Sequence, residues 1–218
     1  MCGRLNQHLS AADIKFAFGT DDARIDLLTP NYNIPPSSQI YGVVGKGPRR
    51  IETFRWGLVP PWAKEPDTRF SMHNARADGV ASKCSFKAPF RTQRILIPAD
   101  GFYEWHTTPG GKQPFYIYRR DETPLAFAGL WDFNELLGLS SCAIVTTDAN
   151  EFMSLVHHRM PVVLEPEDWD IWLDPENDDV VALQNFLKPA ADRVLSMHAV
   201  HPMVGNPRNK SAEVVAPL

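Results

Sequence analysis

Nineteen prolines are distributed along all 218 residues of the chain. A proline inside a helix removes a hydrogen bond and clashes with the preceding turn, so this distribution predicts many short elements joined by tight turns. The predicted strands outnumber the predicted helices and do not alternate with them. The sequence therefore favours an α+β fold, a single domain over residues 1–218. We expect a mostly antiparallel twisted sheet or partly closed β-barrel with short flanking helices.

Turn signals separate the apolar stretches and set the positions of the expected elements. Strands are predicted at 40–44, 51–56, 94–98, 102–105, 115–119, 125–131 and 142–147. One helix is predicted to begin after Ser10, with Asp13 completing its cap, and to end near Phe18. Three more helices are expected at 150–156, 167–173 and 179–187.

Composition excludes several classes of protein. Hydrophobic residues make up 44% and charged residues 22% of the chain, as in globular proteins. No run of about 18 apolar residues could span a membrane, and the first residues lack the apolar core of a secretory signal. Three cysteines, at 2, 84 and 142, are too few and too scattered for a disulfide framework or a zinc cage. We expect a cytoplasmic monomer with no metal and no cofactor.

Charge is distributed unevenly along the chain. Residues 40–95 carry eleven basic and four acidic side chains, a net +7, whereas the rest of the chain carries −11. A basic surface of this kind attracts phosphate even on an acidic protein, although a merely solvated basic face would have the same composition. Aromatic residues interleave with the basic ones, and Trp62 and Phe86 are the candidates for exposed stacking on unpaired bases.

Cys2 is the most reactive feature of the sequence. If Met1 is removed, Cys2 carries a free α-amine and a thiol on adjacent carbons. The amine can add to an aldehyde to give an imine, and the thiol can then close a five-membered thiazolidine. An internal cysteine cannot do this because its nitrogen is an amide. The competing interpretation is an incidental, buried cysteine near a frayed terminus.

Three further polar segments are candidates for a site. The Asn74 amide can hydrogen-bond an amine or a sugar oxygen, and the Arg76 guanidinium can bind a phosphate with two hydrogen bonds. Taken alone, this segment is better explained by a turn into a capped helix. Glu104 lies in an apolar strand that would raise its pKa and suit it to acid–base work, unless it pairs with an arginine. His157 could shuttle protons, or it could belong to a cationic helix end together with His158.

Taken together, these segments resemble the SOS-response-associated peptidase (SRAP) family of abasic-site processing proteins. The resemblance rests on six motifs in the family's order, covering nearly the whole chain: Met-Cys-Gly-Arg at 1–4, Asn-Ala-Arg at 74–76, Ala-Asp-Gly-Phe-Tyr-Glu-Trp at 99–105, Phe-Ala-Gly-Leu-Trp at 127–131, Ile-Val-Thr-Thr at 144–147 and His-His-Arg-Met-Pro at 157–161. Two positions depart from the family's usual pattern, Asp78 and His158.

The resemblance implies a partner, a reaction and residue roles. The partner would be single-stranded DNA containing abasic sites, with the protein in the cytoplasm, at the nucleoid if the source is bacterial. Cys2 would form a covalent cross-link, with Asn74 positioning its α-amine, Glu104 as the acid–base group and His157 assisting proton transfer. Arg4 and Arg76 would hold the phosphates that flank the lesion. Strand cleavage by β-elimination and release of Met1 would be associated activities.

Two other functions remain open on the sequence. One is a cysteine peptidase in which Cys2 and His157 form a thiolate pair. The other is a non-catalytic module that binds single-stranded DNA in a salt-sensitive way. A metal hydrolase is not favoured, because the sequence contains no clustered ligand spacing.

Overall fold

The computed structural model describes residues 2–21, 29–66 and 72–218. The strands are β1 (Leu5–Gln7), β2 (Asn31–Ile34), β3 (Gln39–Val44), β4 (Arg50–Trp56), β5 (Asn74–Arg76), β6 (Arg94–Ala99), β7 (Gly101–Thr108), β8 (Gly111–Arg119), β9 (Leu125–Asn134), β10 (Leu139–Asp148), β11 (Arg159–Pro161) and β12 (Leu195–Ala199). The helices are α1 (Ala11–Phe18), α2 (Lys87–Thr92), α3 (Glu151–Ser154), α4 (Trp169–Leu173) and α5 (Val180–Gln184). Short 3-10 turns lie at Pro166–Asp168, Pro202–Gly205 and Ala212–Val215.

Five strands close into a barrel. β10, β4, β3, β6 and β9 pair in that order, and β9 pairs in turn with β10. All of these pairings are antiparallel except that of β4 with β10. Closing the sheet leaves these strands without a free edge. β5 and β11 also pair with β10 but are not part of the barrel, so both short strands are held in place by hydrogen bonds to β10.

An antiparallel sheet of five strands packs against the barrel in the order β12, β8, β7, β1, β2. Its inner face and the barrel share one apolar cluster, in which Leu5 and Phe102 meet Trp56 and Ile144. Because successive side chains of a strand point to opposite faces, the neighbours of these residues face outward. Tyr103 and Tyr116 accordingly join a separate outer cluster with Val204. This two-faced sheet places β1 and β7 between the barrel and the C-terminal segment.

The predicted α+β fold with a twisted antiparallel sheet is confirmed, and the barrel is closed. The assignment of residues 1–218 to one domain stays a prediction. All seven predicted strands are present, and α1 begins with the predicted capping box between Ser10 and Asp13. No helix among the described residues is long and apolar enough to cross a membrane.

Two short strands were not predicted. Residues 74–76 form a strand, which excludes the alternative of a turn into a capped helix at this segment, and Arg159–Pro161 form another strand after the end of α3. Both strands are three residues long and exist through their pairing with β10, which is distant in the sequence from β5 and is connected to β11 through α3. Local propensity carries no information about such a partner.

Candidate functional site

Cys2 lies at the junction of the two sheets. The Tyr103 N–H donates to the carbonyl of Arg4 (3.0 Å), which extends the β1–β7 pairing towards the start of the chain. The Cys2 side chain is fully buried in the apolar cluster that the sheet and the barrel share. This burial raises the pKa of the thiol, and the negative charge of Glu104 raises it further. The sulfur is therefore held as a neutral thiol, close to the Glu104 carboxylate. Met1 lies outside the described residues.

Asn74 connects Cys2 to the barrel. Its backbone pairs with Ile144 of β10, and the preceding carbonyl, that of His73, accepts from the Ile144 N–H (3.0 Å) and from Trp56 Nε1 (2.9 Å). The side-chain Nδ2 donates to the carbonyl of Cys2 at 2.8 Å. The buried Oδ1 has no hydrogen-bond partner among the residues that the structure describes. Asn74 thus fixes the Cys2 backbone and keeps one acceptor available.

Glu104 faces the same side of its sheet as Cys2. In β7, Phe102 belongs to the shared cluster and Tyr103 to the outer cluster, so strand alternation turns Glu104 back towards Cys2. Its side chain is only 4% exposed, and burial raises the pKa of the carboxyl group. A carboxyl group in this setting keeps its proton at a higher pH than an exposed glutamate and can act as an acid.

His157 is half-buried in the segment after α3. Its backbone N–H donates to the carbonyl of Met153 (2.9 Å), and its Nδ1 lies 3.0 Å from the Arg159 nitrogen and 3.2 Å from the Arg159 carbonyl oxygen, which fixes the orientation of the ring. Met153 and Met160 both pack in the cluster that contains Cys2, so the His157 segment is held against that cluster. Burial lowers the pKa of the imidazole and so favours its neutral form, which can exchange a proton.

Arg76 lies on β5 with Asn74 and is exposed. Side chains two positions apart on a strand point to the same face, so Arg76 lies on the same face of β5 as Asn74, which contacts Cys2. Arg76 is at the solvent-exposed end of this face. It forms a bidentate ion pair with the exposed Asp78, in which Nη2 donates to Oδ2 (2.6 Å) and Nε donates to Oδ1 (3.1 Å). An exposed pair of this kind exchanges readily with another anion because both groups stay hydrated.

Arg4 has a structural use in this conformation. Its Nη1 donates to Asn33 Oδ1 (2.6 Å) and to the carbonyl of Val204 (2.7 Å), and its guanidinium carbon lies 5.8 Å from the ring centre of Trp105. These contacts tie the start of the chain to the C-terminal segment. Its role in binding phosphate stays a prediction.

The two aromatic stacking candidates differ in burial. Trp62 is 63% exposed and lies on the rim of a cavity of about 340 Å³ that Arg55 and Met72 also line. Phe86 is only 5% exposed and packs in the main apolar core. The expectation that Phe86 offers an exposed stacking face is therefore wrong, because α2 turns its ring inward. Residues 67–71, which contribute to the basic segment, lie outside the described residues.

Arg159 is a residue of the site that the sequence analysis did not single out. It is buried, and its guanidinium donates to Asp148 (3.0 Å) and to the carbonyl of Thr146 (2.7 Å). These bonds hold β11 on β10, while the Arg159 backbone N–H fixes His157. The only signal in the sequence was its position beside two histidines. Among the described residues, no group of three or more His, Cys, Asp or Glu is placed to hold a metal ion.

Comparison with known proteins gives consistent matches over the whole chain. The family model described as SOS response associated peptidase (SRAP) matches residues 1–207. The abasic site processing protein YoqW of Bacillus subtilis (strain 168) is 38% identical over 221 aligned positions, covering 99% of each chain. The abasic site processing protein HMCES of Gallus gallus is 29% identical and matches 100% of this chain and 78% of its own. A crystal structure of a protein from Bacteroides thetaiotaomicron shares the fold, with a TM-score of 0.88 at 24% identity and full coverage of both chains.

Proposed function

Because the chain belongs to the SOS response associated peptidase (SRAP) family, we propose that it processes abasic sites in single-stranded DNA by forming a covalent cross-link through Cys2. The observation that carries this proposal is the convergence of three distant segments on Cys2 and the apolar cluster that contains it. Asn74 bonds the Cys2 carbonyl, the Glu104 carboxylate lies close enough to influence the thiol, and the His157 segment packs on the same cluster.

The reaction begins when Met1 has been removed and the Cys2 nitrogen is a free amine. An abasic deoxyribose opens to an aldehyde, and the amine adds to its C1′ carbon to give a carbinolamine. Loss of water gives the imine, and the thiol then adds to the same carbon. The thiol proton passes to the nitrogen, so the overall products are one thiazolidine and one water. Both nucleophiles belong to one residue, which gives ring closure the advantage of an intramolecular step.

Asn74 has the geometry to orient the amine. Its Nδ2 already holds the Cys2 carbonyl, and its buried Oδ1 has no partner among the described residues. An N–H of the new amine can donate to this oxygen, which would satisfy a buried acceptor and aim the nitrogen lone pair away from Asn74. Asn74 is a positioning residue in this scheme.

Glu104 supplies the proton that the dehydration step needs. Its raised pKa keeps the carboxyl group protonated to a higher pH than in an exposed glutamate, so it can protonate the carbinolamine hydroxyl as it leaves. The resulting carboxylate takes the proton of the iminium nitrogen to give the imine. As the ring closes, Glu104 protonates that nitrogen and accepts the thiol proton, which regenerates the acid. His157, neutral through burial, would hydrogen-bond the sugar hydroxyl released by ring opening.

Binding of the DNA strand needs no base-specific contacts, because the aldehyde itself distinguishes the lesion. Arg76 would exchange Asp78 for a phosphate, Arg4 would contact another phosphate, and Trp62 would stack on an unpaired base.

If the thiol fails to close the ring, β-elimination from the imine would cleave the strand, which accounts for lyase activity as a side reaction.

The peptidase alternative would need a different state of Cys2. A thiolate–imidazolium pair forms when the thiol pKa is lowered, whereas burial and the Glu104 charge raise the pKa of Cys2. Release of Met1 could still occur at this site, since it would act on the residue next to Cys2. Turnover of an unrelated peptide, lost in Cys2→Ser, is the result that would favour a general peptidase.

A cross-linking assay tests the proposal. The protein is incubated with a single-stranded oligonucleotide containing one abasic site, then denatured and analysed by gel and intact-mass spectrometry. The wild type should give an adduct whose mass equals protein without Met1 plus DNA minus one water. Cys142→Ala is the matched control, because Cys142 is an equally buried thiol in the same cluster.

The Cys2→Ala variant should give no stable adduct while still binding and slowly cleaving the strand, because its amine can form the imine but has no thiol to close the ring. An undiminished adduct in Cys2→Ala would refute the proposal. Binding without any adduct in the wild type would leave the protein as a non-covalent single-stranded DNA module.

A further inference from the structure

A separate cavity of about 370 Å³ lies on the opposite face of the five-stranded sheet from Glu104. In β8, Phe115 and Ile117 pack with the Cys2 cluster, so the alternating Tyr116 and Tyr118 face the other way and line this cavity. The cavity is therefore separated from the proposed DNA site by the thickness of the sheet.

Aromatic rings form one wall of the cavity. Tyr116 and Tyr118 stack at 5.6 Å between ring centres, and His198 tilts at 57° against Tyr118 at 5.5 Å. His198 Nε2 is held by the Val215 carbonyl at 2.7 Å, which fixes the tilt of that ring. The three rings therefore form one aromatic wall, and the electron-rich faces of aromatic rings attract cations.

Carboxylates complete the lining. Asp100 accepts the backbone N–H groups of His8 (2.7 Å) and Leu9 (3.2 Å) on Oδ2, which also lies 3.2 Å from His8 Nδ1, and no described residue donates to its Oδ1. Glu122 stands on the rim and is exposed. The Asp100 charge raises the pKa of Tyr116, in addition to the effect of burial, so its field reaches the aromatic wall.

The positive charge in the lining is already neutralised. Arg119 is the one arginine or lysine among the described residues that line the cavity. It forms ion pairs with Glu165 (2.7 Å) and Asp121 (3.2 Å), which leave the neighbourhood of the cavity net negative. Every lining residue comes from outside residues 40–95, the part of the chain that carries −11. Phosphate is disfavoured here and a cation is favoured.

We propose that this cavity binds an alkylammonium group, with the ring faces of Tyr116, Tyr118 and His198 on one side and the carboxylates of Asp100 and Glu122 on the other. The two sources of such a group are a small organic cation and the lysine side chain of a protein partner. The inference is independent of the proposed DNA chemistry, since no residue that it uses belongs to the Cys2 site.

A titration with choline tests the proposal, with 3,3-dimethylbutan-1-ol as the neutral control of the same shape. Backbone amide shifts of the full chain are followed by NMR. Choline should shift the amides around Tyr118, His198 and Asp100 with saturation, and the neutral alcohol should not. Equal responses to the two probes would mean that the charge is not recognised and would overturn the proposal, as would shifts confined to other regions.

Two variants locate the binding energy. Tyr118→Leu should weaken choline binding about fivefold through loss of a ring face, whereas Tyr118→Phe, which keeps the ring, should not. Glu122→Gln should weaken it as well and, as an exposed residue, should leave folding intact. Unchanged affinity in both Tyr118→Leu and Glu122→Gln would overturn the assignment.

A short trilysine peptide identifies the source of the group. Shifts at the same amides would assign the cavity to a protein partner's lysine, and a response to choline alone would assign it to a small cation. Abasic-site cross-linking by these variants should equal that of the wild type, so a failure here and a failure of the proposed DNA function are distinguishable.

Discussion

Replacing Asn74 by alanine tests how the site holds its nucleophile. The substitution removes the hydrogen bond from Nδ2 to the Cys2 carbonyl at 2.8 Å and the buried acceptor Oδ1. We expect Asn74→Ala to slow formation of the covalent adduct while leaving the affinity for the DNA strand nearly unchanged, because no phosphate contact is removed.

The magnitude follows from the two contacts. A partly buried carbonyl that loses its donor costs about 1–3 kcal/mol, and the hydrogen bond to the amine contributes about 0.5–1.5 kcal/mol. The loss of the donor to the Cys2 carbonyl destabilises the ground state as well as the transition state, so only part of it slows the reaction. We therefore expect the activation free energy to rise by about 1–3 kcal/mol, which lowers the rate constant by about 5- to 150-fold.

The assay is a single-turnover measurement with excess protein over an abasic oligonucleotide, quenched by denaturation and quantified on a gel. Binding is measured separately with a tetrahydrofuran analogue, which lacks the aldehyde. Asn185→Ala is the control variant, since Asn185 is exposed at the end of α5, away from Cys2. An adduct rate within about twofold of wild type, or a loss of rate matched by an equal loss of binding, would refute the positioning role.

Four further predictions concern the other residues. For the wild type, the adduct rate should fall as pH rises through the raised pKa of Glu104, because the carboxyl group then loses the proton that it donates. Glu104→Gln should react slowly, and its pH–rate profile should lack this decrease. Arg76→Ala should lower the slope of log affinity against log salt by roughly one phosphate's contribution, whereas the exposed Arg208→Ala should not; an unaltered slope would make Arg76 structural. Phe86→Ala should lower the free energy of unfolding by about 3–5 kcal/mol in urea titration. Trp62→Ala should leave unfolding within about 0.5 kcal/mol but weaken single-strand binding by about 1–3 kcal/mol, and the reverse pattern would contradict our assignment of the two rings.

Much of the fold is encoded in patterns of short range. The capping box of Ser10 and Asp13, the strands of the barrel and the alternation around Glu104 all follow from residues within a few positions of one another. The short strands β5 and β11 could not be predicted in this way. Each depends on pairing with β10, so the energy that forms it comes from another element and not from its own three residues.

The reactive chemistry of Cys2 is a covalent property of its own residue and can be recognised in the primary structure alone. Its setting is a tertiary property. Asn74 meets the Cys2 carbonyl across 72 positions of chain, and the burial that perturbs the pKa values of the thiol and of Glu104 exists only when the five-stranded sheet packs on the barrel. The contrast between Phe86 and Trp62 arises in the same way. Both are aromatic residues in a basic segment, and only the packing of α2 against the core decides which ring remains in contact with solvent.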